Sequence, residues 1–186
     1  KHTKLVVSRD GVSMTVMYFG MNRLKFDVIE GEKVDLLCSV DINDFMNVQS
    51  VQLIAQDCRL SENMVKFYEA EKKRFAEIRA GGIFSDGDNI IPKREDFIKV
   101  YTTVSIEWRN GRSTLSIREL LPMLGEKSGI GYIKLKHILL ILYELKICGV
   151  EEVFDDTYKF DIYFNPTKTA IEKSSILKTL KGQCKN

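Results

Sequence analysis

Histidine, proline and tryptophan are scarce in this 186-residue chain, which holds two, three and one of them. The two histidines, His2 and His137, leave little for acid–base or metal chemistry. His137 stands among Leu135, Ile138 and Leu139, the setting of a packed or half-exposed helix residue. Cysteine is present but scattered: Cys38, Cys58, Cys148 and Cys184 form no C-x-x-C pair and have no histidine at ligand spacing. A structural zinc site needs four clustered ligands, so none is read here, and lone thiols fit a reducing cytoplasm. The longest apolar run, Ile138–Leu142, is far short of the roughly 20 residues that span a bilayer, and no signal peptide is visible.

Catalytic motifs are missing too. There is no nucleophile motif, phosphate loop or metal-binding helix. Gly129-Ile130-Gly131 lacks the third glycine of a dinucleotide site and reads as a turn. Asp155-Asp156 reads as a solvated hairpin tip rather than a metal pair, and Asp86-Gly87-Asp88 lacks the twelve-residue pattern of a calcium loop. The chain also opens at Lys1-His2-Thr3, inside a strand-like run and without an initiator Met, from which we expect a fragment of a longer protein.

What is present is an ordinary folded composition, 44% hydrophobic and 29% charged, long enough for one large or two small domains. Twenty-eight Lys+Arg against twenty-six Asp+Glu leave +2, which excludes a polybasic protein but not local nucleic-acid contact. Residues 1–60 read as β-structure. Lys4–Arg9 and Val12–Phe19 are strands around an Asp10-Gly11 turn, with Leu5, Val7, Val12, Met14 and Val16 at period two. Val34, Leu36, Cys38, Val40 and Ile42 alternate in a third strand, and Val51, Leu53 and Ala55 in a fourth, each with one apolar face. Four strands suggest a small barrel or sandwich, with a fifth expected before Lys1. From Ser61, a plausible N-cap, Val65, Tyr68, Phe75 and Ile78 fall at helical spacing up to Gly81-Gly82. This helix's mixed charges read as a solvated face, and the loop at Ser85–Asn89 as a boundary.

Residues 90–186 predict a helix from Pro92, a short extended stretch at Ser113–Ser116, a helix around Leu120, and a strongly apolar helix from Tyr132 to Ile147. Strands Val150–Phe154 and Tyr158–Phe164 follow, then a terminal helix over Lys168–Leu180. That is the order of a winged helix. The helix before such a ribbon commonly enters a major groove, but here only Lys134, Lys136, His137 and Lys146 are candidates, so a packing or interaction module is favoured. The expected fold is thus α+β: an OB-like small barrel over 1–60, possibly lacking its first strand, a linking helix and loop over 61–89, and a winged-helix-like domain over 90–186.

Binding features concentrate in the β-segment, where Lys4, Arg9, Tyr18, Phe19, Arg23, Lys25 and Phe45 are interleaved. Cations along a backbone and aromatic faces under bases are how single strands are held. The same aromatics could instead be core or loop plugs. The segment carries seven Lys+Arg against eight Asp+Glu, and residues 61–186 carry twenty-one against eighteen.

Several stretches resemble the C-terminal part of RecJ, the single-strand-specific 5′→3′ DNA exonuclease family. For its OB-fold these are His2-Thr3-Lys4-Leu5, Tyr18-Phe19-Gly20, Glu30-Gly31-Glu32-Lys33-Val34-Asp35, Asp41-Ile42-Asn43, and Val51-Gln52-Leu53 through Gln56-Asp57. Pro92-x-Arg94-Glu95-Asp96-Phe97, Leu142-Tyr143-Glu144-Leu145 and Asn165-Pro166-Thr167-Lys168 resemble the extra C-terminal domain of Firmicutes-type members. The resemblance implies a role in recombination and repair, with Mn or Mg bound by a DHH-type nuclease core that is not in this chain. It implies that the OB-fold helps hold single-stranded DNA and favours Lys4, Arg9, Arg23 and Lys25 as phosphate contacts, while Tyr18 and Phe45 are candidate contacts from the interleaved pattern of the segment alone. Gly20, Gly31, Val34, Asn43 and Leu53 would set turns and core. Expected partners are single-stranded DNA, the upstream nuclease core and single-stranded-DNA-binding protein. The rivals are a purely structural, protein-contacting module and, more distantly, a winged-helix transcription factor.

Overall fold

The computed structural model describes residues 2–22, 26–163 and 169–185 and is mixed α/β. It divides into two compact units, Lys1–Tyr68 and Glu69–Asn186.

In the first unit β1 (His2–Arg9) and β2 (Val12–Phe19) form a hairpin turned by Asp10 and Gly11, with φ of 52° and 80°. Paired left-handed residues match the twist of the flanking strands, which is why two residues suffice. β3 (Val34–Phe45) and β4 (Val48–Leu60) form a longer hairpin, turned by Met46 and Asn47 with φ of 52° and 60°. The hairpins meet in a short parallel seam, Val16 beside Leu53 and Met17 beside Ile54. The order is β1-β2-β4-β3, with β1 and β3 at the edges. The expected barrel is therefore, among the described residues, an open sheet.

Alternation turns Thr3, Leu5, Val7, Val16 and Tyr18 to the inner face. Val16, Tyr18, Phe26 and Ala55 are buried there, and Leu5, Val7, Leu36, Leu53 and Cys58 pack partly against them. The apolar faces predicted from period two run further than this cover. Val12, Ile42 and Val51 lie beyond the seam, Val40 faces the seam residue Leu53 from the edge strand, and all four remain 55–70% exposed. A β-bulge also interrupts the β3–β4 ladder: Leu37 faces Asp57 but Cys38 faces Ala55, leaving Gln56 as the extra residue.

Helix α1 (Glu62–Arg79) starts at Ser61, whose Oγ accepts the Met64 N–H at 3.4 Å. It closes at Gly81 (φ 101°), with the Gly82 N–H donating to Glu77 O at 2.9 Å. The division between the units falls within α1.

In the second unit β5 (Phe84–Ser85) precedes α2 (Arg94–Arg109), β6 (Thr114–Ser116), α3 (Ile117–Leu124) and α4 (Tyr132–Glu144). After them come β7 (Gly149–Phe154), β8 (Thr157–Asp161), α5 (Ser175–Gln183) and β9 (Cys184–Lys185). β6, β8 and β7 form an antiparallel sheet in that order, and β5 pairs with β9. α4 is apolar around most of its circumference, and a helix of that kind must be covered on all sides. Leu135, Ile138, Leu139, Ile141 and Leu142 are accordingly buried. It stops at Glu144, before the predicted Ile147, because Lys146 turns left-handed (φ 53°) and the Ile147 N–H returns to Leu142 O at 3.0 Å. α5 starts later than predicted, at a Ser174 cap that accepts the Leu177 N–H at 3.0 Å. Phe164 and Asn165-Pro166-Thr167-Lys168 lie outside the described residues. No helix among the described residues is long and apolar enough to cross a membrane.

Candidate nucleic-acid interface

The strand register sorts the side chains of the β1–β2 hairpin into two faces. His2, Lys4, Val6 and Ser8 point outward from β1, opposite Phe19, Met17, Thr15 and Ser13 of β2. At one end of this outer face the rings of His2 and Phe19 meet at 72°, with centroids 5.2 Å apart. The Gly20 N–H donates to His2 Nδ1 at 3.1 Å. Gly20 adopts φ 76°, a left-handed conformation that glycine takes without strain. The Thr3 hydroxyl donates to Met21 O at 2.8 Å and ties the same chain end to β1. Lys4, two residues along, is exposed and makes no ion pair among the described residues.

The remaining predicted residues do not assemble around Lys4. Arg9, at the far end of β1, sits 3.6 Å from Asp10, with both side chains more than nine-tenths exposed. Phe45, 65% exposed, is at the tip of the other hairpin. Lys4, Met17, Ile54 and Ser39 form one row across the sheet, so Phe45 lies six residues, about 20 Å, further along β3. Tyr18 is a correction: it is 9% exposed, packs at 87° against Phe26, and donates its hydroxyl to Gln56 O at 3.3 Å. It shares strand parity with Val16, so its ring belongs to the core and cannot stack on a base. Arg23 and Lys25 lie outside the described residues. Phe19 is 53% exposed. His2, set aside as a poor acid–base group, is brought to the same place by its pairing with Phe19.

The basic residues of α4 are engaged inside the second unit. Lys134 is buried, with Nζ 2.7 Å from Asn89 Oδ1 and 3.4 Å from Asp96. His137 is buried against Phe75 (centroids 4.9 Å), and its Nδ1 is 2.8 Å from Ile133 O. Burial drives its pKa down to about 4. Lys146 alone of the four is exposed, past the end of the helix. The Asp155-Asp156 turn is a second correction, because Asp156 is buried rather than solvated. It accepts from Lys136 Nζ at 2.7 Å and from the Tyr132 hydroxyl at 2.8 Å, with Lys72 Nζ at 3.2 Å. Burial opposes the charge on Asp156, but its bonds to Lys136 and Tyr132 outweigh it and hold the carboxyl below its ordinary value. The Lys136 ammonium also lies over the Phe75 ring, 4.9 Å from its centroid. This cluster fastens the β7–β8 turn to α4; every member has a partner.

His2 and His137 hold the positions just described, and among the described residues no three His, Cys, Asp or Glu side chains could hold a metal ion together.

Residues 1–57 match the family model of the RecJ OB domain. That stretch of the first unit is thus similar to a RecJ OB domain. No curated protein and no solved structure matched the chain.

Proposed function

We propose that the chain is a non-catalytic part of a RecJ-like 5′→3′ single-stranded-DNA exonuclease, and that its first unit helps hold the DNA strand. The nuclease core, with its Mn or Mg ions, would lie upstream in the same polypeptide, and the setting would be cytoplasmic recombination and repair. The observation that carries this reading is the match of residues 1–57 to the RecJ OB domain, on a sheet whose order suits it. An OB barrel has five strands and binds oligonucleotides on the face of its second and third. Without the first strand, two hairpins joined by a parallel seam remain, and β1 and β2 take the places of strands two and three. In the second unit α2, β6, α3, α4 and the β7–β8 ribbon follow the order of a winged helix, which supports a winged-helix-like module over 90–186. Its covered α4 favours packing or partner contact, with single-stranded-DNA-binding protein as a partner to test, over reading duplex DNA.

Fluorescence anisotropy with a labelled oligo-dT tests the proposal. We expect binding that weakens strongly between about 50 and 200 mM salt. Lys4→Ala with Arg9→Ala should reduce the log–log salt slope by roughly 0.7 for each phosphate no longer neutralised. Salt-independent binding that ignores both substitutions refutes the strand-holding role of the first unit.

One observation favours the rival reading of a protein-contacting module. Residues 34–58 contain four aspartates and no lysine or arginine, yet Val40, Ile42, Phe45 and Met46 are all exposed there. Such a surface repels phosphate and suits protein contact.

A further inference from the structure

The outer face of the β1–β2 hairpin has a chemistry that the rest of its sheet lacks. From His2 to Ser8 and from Ser13 to Phe19, the outward residues include no carboxylate. Across the seam, the same side of the sheet carries Asp41 beside Gln52. A polyanion lying on this sheet is therefore accepted over β1–β2 and repelled over β3. Within the accepted half, apolar aromatic surface occurs at one end only, where Phe19 and His2 meet.

That aromatic corner is built before any ligand arrives. Cross-strand pairing fixes the two Cα positions, the Gly20 N–H orients the imidazole, and the Thr3 hydroxyl anchors the chain that follows. Rings held in place lose little entropy when something stacks on them. Lys4 lies two residues along the same face, about 7 Å by strand rise, so its long side chain can reach the phosphate of a nucleotide whose base is on the rings. Stacking on a ring face needs no contact with the hydrogen-bonding edge of a base.

We propose that Phe19, braced by His2, is a base-stacking platform for single-stranded DNA, with Lys4 as its phosphate contact, and that it binds without base preference. The inference rests on the single-strand reading above. It moves the aromatic contact away from Tyr18, which is buried, and from Phe45, which belongs to the acidic hairpin.

The test compares two labelled probes, oligo-dT and an abasic oligonucleotide of equal length with the same phosphates. Phe19→Ala should weaken dT binding roughly 5- to 150-fold, the range for loss of one stacked base, and leave abasic binding unchanged. Phe19→Leu, which keeps the bulk and removes the ring, should match Phe19→Ala. Lys4→Ala should weaken both probes, and Phe45→Ala neither. If dT binds but ignores Phe19→Ala, or if both probes weaken equally, the platform is refuted and the single-strand reading stands. If the unsubstituted chain binds neither probe, both fall together.

Discussion

The two units solve the same burial problem with opposite success. The second buries twenty-five hydrophobic side chains and leaves eight large ones exposed among its described residues; the first buries four and leaves twelve exposed. Length alone does not explain this, since the first unit is more than half as long as the second. Helices close their own hydrogen bonds and need only neighbouring apolar stripes, which α2, α3 and α4 supply to one another. A sheet must also cover its face and its edges. The β1–β2 and β3–β4 hairpins touch at only a narrow seam, so their outer halves run past the core with apolar residues on them.

The contrast predicts unequal responses to the same kind of substitution. Leu135→Ala, in the fully buried face of α4, should cost about 2–5 kcal/mol, whereas Val40→Ala should cost less than about 0.5 kcal/mol. Trp108 is the only tryptophan, so its fluorescence in urea follows the second unit, and amide exchange in β3 and β4 follows the first. Comparable losses in both would erase the distinction.

A smaller effect separates the units by pH. Burial holds His137 near 4 against an ordinary 6.5, so the folded unit refuses a proton that the unfolded chain accepts. The share of stability linked to His137 should be lost as the pH drops from about 6.5 towards 4, by at most about 3 kcal/mol. Asp156, held below the usual carboxylate value, titrates beneath this window. Trp108-monitored unfolding at pH 7 and pH 4.5 measures the drop, and His137→Gln should flatten it. The smallest change in stability belongs to Val40→Thr with Ile42→Thr, expected to stay within about 0.5 kcal/mol. Those substitutions should nonetheless reduce concentration-dependent association in sedimentation, because an exposed apolar edge invites pairing.

Local pattern carried much of this architecture. Period two marked all four strands, and the Asp10-Gly11 turn, the Gly81-Gly82 stop and the Ser61 cap were readable as residues. What failed depended on partners distant in sequence. Asp155-Asp156 has the composition of a wet turn, and only Lys136, twenty residues earlier, together with Lys72 makes Asp156 an interior group. Val40 and Ile42 alternate correctly, but alternation marks a face without saying whether anything covers it. Tyr18 was within reach: its parity with Val16 sends it inward and leaves Phe19 outside. His2 was not, because only cross-strand register places it beside Phe19. The strongly apolar helix, by contrast, is buried as its composition predicts, at Leu135, Ile138 and Leu139.

The bulge at Gln56 ties two distant positions into a shared inheritance. The extra residue leaves its carbonyl outside the β3–β4 ladder, and the Tyr18 hydroxyl, thirty-eight positions earlier, donates to it. A related sequence one residue shorter at this point would restore the ladder and have no use for that hydroxyl, so phenylalanine could then stand in place of Tyr18. Where the extra residue persists, losing the hydroxyl strands a carbonyl. The two changes should therefore be found together in descendants of this fold, as a length difference in one strand matched by a single oxygen in another.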